Sequence, residues 1–341
     1  MTWTLVPAAR FAAFADRWRR LHADSAASIL LDADFVAPLI TEFAPAEALL
    51  ACCEQAGRIV AMAIVVPAGR GSWATLQPAQ APLGLWLQHP GQPLEPLLRG
   101  LQRALPGLPL VFGLTQMDPL LTPRPADAGH IRTLDYIATA HVDLSGSFDD
   151  YWEARGKNLR QNLKKQRNRL QRESTATRLE VCREAWQMAE AVADYGRLES
   201  SGWKAGEGTA VHADNAQGRY YRAMLEAFCR RGQGSVYRYW FDDRLVAMDL
   251  CIEDRDSIIV LKTSYDETVP SSLSPTLLMR EEATRRLFEE GRMRRIEFYG
   301  RVMEWHLRWT DQVRTMYHVN YYRWAVLGRL RSTSRSTHVP E

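Results

Sequence analysis

Two isolated lysines are the first candidates for chemistry in this chain. Lysine accounts for only five of its 43 basic residues. Lys204 follows Trp203 in a loop that contains glycine, and Lys262 follows an apolar run and precedes Tyr265 and Asp266. A lone lysine in an arginine-rich chain indicates a position that needs a compact ammonium group whose pKa can be shifted. The alternative for Lys262 is a strand-end lysine whose charged group reaches water.

Composition argues against several other kinds of protein. The 341 residues are 46% hydrophobic, which is sufficient for about two domains with real cores. No stretch approaches the roughly 20 apolar residues of a membrane span, and we expect no signal peptide. The five cysteines and eight histidines lack the spacing of a disulfide framework or a zinc site. We therefore predict a reduced, cytoplasmic protein without a metal.

The charge is distributed unevenly along the chain. Residues 1–146 hold ten arginines and twelve acidic residues, so their net charge is −2. Because the whole chain has a net charge of +3, the remaining residues carry +5. A short polar stretch at residues 143–147 contains glycine and suits a linker. We predict a first domain at residues 1–146, a second at 147–330 and a disordered tail at 331–341.

A basic helix is predicted at the start of the second part. Between Glu153 and Glu173 the sequence has no acidic residue, while eight cations accumulate at residues 155–172. Apolar residues at helical spacing give it a narrow stripe that can dock on the rest of the protein. Its charged faces suit the phosphate groups of coenzyme A or of a nucleic acid. The alternative is a solvated surface helix.

The elements that must position Lys262 follow a specific order. The first part of the chain has a mixed α/β pattern. In the second part a strand and two helices precede three strands with short polar joints, which indicates an antiparallel meander. Ser274 and Pro275 suit the start of the next helix. A strand around Ile296, a short helix and a closing strand follow. A ligand is expected where the strands of Ile258 and Ile296 diverge beside that helix.

This order of elements resembles the GNAT acyltransferase superfamily. The motifs that carry the resemblance are NLRQNLK at residues 158–164, GWK at 202–204, LKTSYD at 261–266, SP at 274–275 and WHLRWT at 305–310. The chain looks most similar to CelD/BcsL-like acetyltransferases of cellulose biosynthesis, relatives of the Fem-type aminoacyltransferases. The resemblance implies two tandem GNAT-like units, each a mixed, mostly antiparallel sheet flanked by helices, with the basic helix between them and the first unit degenerate.

The resemblance also implies a donor site for acetyl-coenzyme A or another acyl-coenzyme A. The pyrophosphate would lie at Ser274 and the N–H groups of Thr276, Leu277 and Leu278, where the helix dipole favours negative charge. Tyr265 would contribute from the preceding strand. Family members often have glycine where this chain has Thr276, so a non-catalytic binding or scaffold protein with this fold is one alternative.

Catalytic roles can be assigned once acyl transfer to an amine or hydroxyl is assumed. Asp249, inside an apolar strand, is the candidate general base because burial would raise its pKa; a structural, hydrogen-bonded aspartate is the alternative. Tyr299, at a strand end, is the candidate acid for the departing thiolate, or a packed aromatic residue. Lys262 is expected to fix a phosphate or a substrate carboxylate. The predicted substrate-binding residues are Trp203, Lys204, Asp266 and Trp305.

The acceptor and the donor class remain open. The family likeness suggests an amino sugar or a polysaccharide precursor as acceptor. A Fem-like transferase that takes its acyl group from aminoacyl-tRNA is the second alternative, because the basic helix at residues 155–172 could hold RNA. Two fused units remove one common reason to dimerise, so we expect a monomer.

Overall fold

The chain repeats one order of secondary-structure elements in two units. The computed structural model describes residues 1–25, 28–200, 211–212 and 214–333, with only the backbone for 330–333. One unit consists of Met1–Ala138 and Arg314–Glu341, and the other of Thr139–Val313. In each, a strand and helices precede three antiparallel strands, a helix and a further strand.

The first unit is built on a mixed sheet. Its strand order is β1-β2-β3-β4-β6-β13, with β5 paired to β3. Its strands are β1 (Thr2–Pro7), β2 (Leu49–Gln55), β3 (Arg58–Pro67), β4 (Ser72–Thr75), β5 (Trp86–Gln88), β6 (Val111–Met117) and β13 (Val313–Tyr322). Its helices are α1 (Ala15–Asp24), α2 (Ala33–Phe43), α3 (Leu94–Ala104) and α10 (Ala325–Thr333). Strand β4 runs parallel to β6, and the other pairs are antiparallel.

The second unit has the equivalent sheet with the order β7-β12-β11-β10-β9-β8. Its strands are β7 (Ile131–Asp143), β8 (Thr177–Cys182), β9 (Gly234–Phe241), β10 (Arg244–Glu253), β11 (Ser257–Tyr265) and β12 (Arg295–Phe298). Its helices are α4 (Phe148–Glu153), α5 (Lys157–Arg172), α6 (Met188–Ser200), α7 (Ala216–Arg230), α8 (Pro275–Glu290) and α9 (Glu304–Leu307). Strands β9 to β11 form the predicted antiparallel meander, and only β11 and β12 are parallel.

Two strands, β13 and β7, do not follow the predicted division of the chain. Strand β13, predicted to close the second domain, pairs with β6 of the first unit, from Tyr317 opposite Met117 to Tyr322 opposite Val111. Tyr317, Val319 and Tyr321 also lie in the first unit's core. The second unit is completed instead by the last residues of β7, which pair with β12. The compact units therefore differ from the predicted domains 1–146 and 147–330. The first unit includes β13, which lies beyond residue 146, and the second includes the last residues of β7, which precede residue 147.

Two helical expectations also need adjustment. The predicted helix at residues 148–173 is divided into α4 and α5, with Gly156 at the N-cap of α5. Residues 331–333 of the predicted disordered tail belong to α10, and residues 334–341 lie outside the described part. Within the described residues, no helix combines the length and apolar character that a bilayer span requires.

Candidate active site

Strands β11 and β12 separate after a short parallel contact. Their pairing is limited to three residue pairs and ends at Ile259 opposite Glu297. On its other side, β11 stays paired to β10, with a bulge where Lys262 faces Leu250 and Val260 faces Cys251. Beyond Ile259, residues 260–263 of β11 are half-buried rather than buried. The sheet of the second unit is therefore open at the place where the sequence predicted a gap.

Helix α8 begins at the open end of this gap. Pro275 occupies its first turn, and the side chain of Ser274 makes no capping hydrogen bond. The N–H groups of Leu277 and Leu278 both donate to the Ser274 carbonyl, at 3.0 and 3.1 Å. Within the described residues, the Thr276 N–H has no hydrogen-bond partner. Of the three N–H groups predicted to hold a pyrophosphate, only that of Thr276 is therefore available, and Leu278 is a core residue.

Helix α5 holds the start of α8 in place. The buried Gln166 accepts a hydrogen bond from the Ser274 N–H at 2.7 Å, and its amide donates to Asn162 at 3.2 Å. One turn further, Arg169 donates to the hydroxyl of Ser272. The basic helix therefore lies beside the N-terminus of α8, where a negatively charged ligand would meet both the helix dipole and the cations of α5.

A cavity of about 820 Å³ lies at this place. It is bordered by the ends of β11 and α8 and by the segment around α9, and its lining includes Thr263, Tyr265, Asp266, Ser274, Thr276, Leu277, Arg280, Trp305 and Trp309. Trp309 is 1% exposed, and its indole N–H has no partner within the described part of the chain. Burying a hydrogen-bond donor costs free energy unless the donor has a hydrogen-bond partner. The cavity thus contains a polar group that a ligand would satisfy.

Asp249 lies behind this cavity rather than in its lining. Its carboxylate is 1% exposed, pairs with Arg280 at 2.7 Å and accepts a hydrogen bond from Thr263 at 2.5 Å. Burial raises its pKa, as predicted, although Arg280 and Thr263 both oppose that rise. Arg280 and Thr263 themselves line the cavity. The carboxylate is therefore placed to fix these two groups and has no direct access to a ligand there.

Lys262 points to the opposite face of the sheet. Its ammonium lies 3.2 Å from the carboxylate of Glu199 on α6 and 3.5 Å from the amide oxygen of Gln217 on α7. The rings of Tyr195 and Tyr221 each lie 5.6 Å from it. Successive residues of a strand alternate between faces, so Lys262 and Thr263 project in opposite directions. The structure therefore places the two candidate catalytic residues Asp249 and Lys262 on opposite faces of the sheet.

The polar cluster around Lys262 is largely shielded from water. The Glu199 side chain is 3% exposed and that of Lys262 20%. Glu199 also accepts the Val211 N–H at 2.8 Å. Burial, followed by the charge of Glu199, raises the pKa of Tyr195 well above its ordinary value, so this phenol stays protonated and can donate a hydrogen bond. The cluster combines a cation, a carboxylate and two phenols, which suits recognition of a polar acceptor.

The remaining predicted residues fall into three groups. Tyr265, Asp266 and Trp305 line the cavity, but Asp266 is held by Arg244 at 2.5 Å. Burial would raise the pKa of Asp266, but hydrogen bonds from Thr268 and Arg244 outweigh it and the pKa is lowered. Tyr299 directly follows β12, is half-buried and does not line the cavity. Trp203 and Lys204, which were predicted to bind the substrate, lie outside the described residues.

Sequence reasoning missed Arg280, Glu199, Tyr195 and Tyr221. Arg280 sits within the predicted buried stripe of α8, between Met279 and Ala283, where a cation signals a buried partner. Tyr195 and Glu199 are four residues apart on α6 and hence share a face. That spacing was visible, but nothing in the sequence shows that the face meets β11. No group of three potential metal ligands occurs among the described residues.

His306 supports the wall of the cavity from behind. It is buried, stacks on Trp305 and accepts the Met303 N–H at Nδ1, at 3.0 Å. Burial, reinforced by the charge of Arg280, lowers its pKa to about 4. The ring is therefore neutral near pH 7, which its role as an acceptor at Nδ1 requires. His306 thus holds Trp305 in place without carrying a charge.

Comparisons with known proteins agree with this geometry. Residues 157–307 match the family model described as the acetyltransferase (GNAT) domain. The C-terminal domain of a protein described as a lysylphosphatidylglycerol synthetase from Agrobacterium fabrum is 15% identical, with a TM-score of 0.59 and coverage of 95% of this chain and 96% of that chain. FemX is 8% identical, with a TM-score of 0.55 and coverage of 97% and 99%. No curated protein matches the chain.

A third solved structure extends the same pattern. A conserved protein of unknown function from Bacteroides thetaiotaomicron is 10% identical, has a TM-score of 0.51, and covers 94% of this chain and 99% of its own. Identities this low show the fold alone, and coverage of nearly the whole chain means that both units share it. The predicted fold class is confirmed. This chain therefore has a tandem arrangement of GNAT-like units, and residues 157–307 of the second match the model of the GNAT acetyltransferase domain.

Proposed function

We propose that the protein transfers an acyl group from an acyl-coenzyme A to the amine or hydroxyl of an acceptor. The observation that carries this proposal is the cavity of about 820 Å³ at the N-terminus of α8, beside the gap between β11 and β12. Its volume lies in the usual range for small-molecule sites. The free Thr276 N–H suits a phosphate oxygen, and the indole N–H of Trp309 is a further buried donor within the same cavity.

The acceptor would bind on the other face, beside Lys262. Its nitrogen or oxygen would attack the thioester carbonyl through the gap, so that the new bond to the acyl carbon forms and the bond from that carbon to sulfur breaks. The acceptor loses a proton in this step, and the thiolate gains one. The Glu199 carboxylate is the group best placed to accept the acceptor's proton, and the Lys262 ammonium to stabilise negative charge on the carbonyl oxygen.

The sequence-based assignment of Asp249 changes in this proposal, and that of Tyr299 does not. Asp249 becomes a positioning residue for Arg280 and Thr263, because its carboxylate is enclosed by them. Tyr299 stays a prediction as the acid that protonates the thiolate, on the ground that it follows β12 at the edge of the gap. The CelD/BcsL-like resemblance and an amino-sugar or polysaccharide acceptor also stay proposals, since only the resemblance of the motifs supports them.

Calorimetric titration with acetyl-coenzyme A tests the donor assignment. We expect saturable binding by the wild-type protein. Because Lys262 lies on the face opposite the donor cavity, Lys262→Met should bind the donor as the wild type does and should lose transfer. Absence of binding by the wild-type protein would refute the proposal, and loss of binding only in the variant would refute the division of the two sites between the faces.

A donor carried on tRNA is the second candidate, and the exposed face of α5 favours it. Lys157, Lys164 and Lys165 are exposed and form no ion pair within the described part of the chain. They belong to the helix whose Gln166 holds Ser274 at the donor cavity. RNA held through several phosphates would lose affinity steeply as salt rises, in proportion to the number of contacts. A weak salt dependence, together with tight binding of acetyl-coenzyme A, would exclude this candidate.

A further inference from the structure

A second cavity lies in the first unit, and its lining is strongly cationic. Its volume is about 420 Å³, within the range of small-molecule sites. The lining residues that matter here are Arg99, Gln102, Arg103, His130, Arg323 and Trp324. No carboxylate belongs to the lining among the residues that the structure describes. Since every charged group in this lining is a cation, the cavity has the electrostatic character of an anion site.

The cations converge because two elements meet at this place. Arg99, Gln102 and Arg103 are three and four residues apart and therefore share one face of α3. Arg323 directly follows β13, and its N–H donates to the Leu110 carbonyl at 2.8 Å. Gln102 is 2% exposed and donates to the Tyr321 carbonyl at 3.4 Å. A buried amide thus fixes α3 against the strand, so the guanidinium groups are held on a packed scaffold.

The positive charge of this cavity is only partly neutralised. Arg99 pairs with Glu95 at 2.8 Å. Arg103 and Arg323 form no ion pair within the described part of the chain. The carbonyl end of α3 favours one cation in its last turn, which accounts for Arg103 alone. It does not account for Arg323, which belongs to another segment. Two unneutralised guanidinium groups in one cavity match the charge of a phosphate or diphosphate group, which Arg binds with two hydrogen bonds.

One part of the lining is suited to the remainder of such a ligand. Trp324 is 50% exposed, and His130 stacks on the buried Tyr321 with ring centroids 5.5 Å apart. His130 Nδ1 must donate to the Tyr322 carbonyl, at 2.8 Å, because a carbonyl only accepts. We propose that this cavity binds a small phosphorylated ligand, with its phosphate or diphosphate on Arg103 and Arg323 and its ring against the indole of Trp324. This site belongs to the first unit, whereas residues 157–307 belong to the second. The inference does not depend on the proposed acyl transfer.

Calorimetric titrations with pyrophosphate, ADP and glucose 1-phosphate test this proposal and distinguish a nucleotide from a sugar phosphate. The double variant Arg103→Gln/Arg323→Gln removes the charges of the exposed Arg103 and the half-buried Arg323. Arg70→Gln is the matched control, since Arg70 is an exposed arginine of the same unit outside the cavity. We expect at least one probe to bind and its affinity to fall about tenfold to a hundredfold in the double variant. Arg70→Gln should have no effect, and thermal unfolding should show that all variants fold.

A phosphate probe can also enter the donor cavity, so the same titrations are run on Thr276→Asp, which places a negative charge there. Binding that survives in Thr276→Asp and is lost in Arg103→Gln/Arg323→Gln supports the site in the first unit, whether or not coenzyme A binds elsewhere. The reverse pattern, wild-type affinity in the double variant, or no binding of any probe would overturn the proposal.

Discussion

Replacing Thr276 by aspartate should separate the stability of α8 from its ability to bind phosphate. The first turn of this 16-residue helix contains no acidic residue. A carboxylate there interacts favourably with the helix dipole, so we expect the free energy of unfolding to rise by about 0.3 to 1 kcal/mol. The same carboxylate would lie next to the only N–H group of this turn that is free to bind a phosphate.

The effect on donor binding should be larger and opposite in sign. Two unit charges about 5 Å apart repel by about 3 kcal/mol at an effective dielectric constant of about 20. Each charge of the pyrophosphate contributes on this scale, although salt reduces it at a half-buried position such as Thr276. Since about 1.4 kcal/mol corresponds to a factor of ten, the affinity for acetyl-coenzyme A should fall at least a hundredfold.

Calorimetry gives the affinity, and urea unfolding gives the stability. Thr276→Asn is the matched control, because it has the size of aspartate and lacks its charge. We expect it to retain most of the affinity. If Thr276→Asp is stabilised or unchanged and still binds the donor as tightly as Thr276→Asn, the phosphate does not lie at this helix end and the proposed donor site is wrong.

Four further predictions test other parts of the structure. Lys262→Met should destabilise the protein by about 3 kcal/mol in urea unfolding because it leaves the buried Glu199 carboxylate without its ammonium partner; Lys262→Met/Glu199→Gln should recover stability but not transfer, and recovery of transfer would contradict the acceptor site. Asp249→Asn should lower the free energy of unfolding by about 3 kcal/mol or more because it leaves the buried Arg280 without its carboxylate partner. An unchanged free energy of unfolding would show that the ion pair contributes little. The pKa of His306 is lowered to about 4, so its contribution is complete above about pH 6.5 and is lost as the pH falls toward 4; His306→Asn should therefore show a smaller loss of unfolding free energy over that range, and an unchanged slope would contradict the assignment. A fragment of residues 147–330 should fail to unfold cooperatively by circular dichroism, because it lacks β7; a cooperative transition would show that this strand is dispensable.

Sequence patterns predicted the second unit well where local chemistry determines the structure. The short polar joints of the meander and the Ser274-Pro275 helix start are local signals, and both elements formed where expected. The assignment of β13 to the first unit was not predictable in the same way. The register of β13 with β6 joins residues some 200 positions apart, and a pairing across such a distance has no local signal.

The candidate site shows the same limit at the level of single residues. Burial of Asp249 and its raised pKa followed from one carboxylate in an apolar strand. Its partner Arg280 is 31 residues further along the chain, and a contact across such a distance has no local signal. The prediction of Asp249 as a base assumed a carboxylate without a counter-ion. The fold supplies that counter-ion, Arg280. The same holds for Lys262, whose neighbour Glu199 comes from a helix more than 60 residues earlier.

The alternation of β11 explains why an open sheet is needed for the proposed chemistry. Thr263 faces the donor cavity and Lys262 faces the polar cluster on the other side, so a continuous sheet would separate donor from acceptor in the proposed reaction. Because β12 stops pairing at Ile259, nothing within the described residues is hydrogen-bonded to that edge of β11 as a strand beyond this point. The bulge opposite Leu250 falls within the same stretch, and bulges re-aim side chains next to such openings. In the proposed reaction, an acyl group held at the α8 side would meet an acceptor from the Lys262 side at this opening, with the reacting carbon beside residues 260–262.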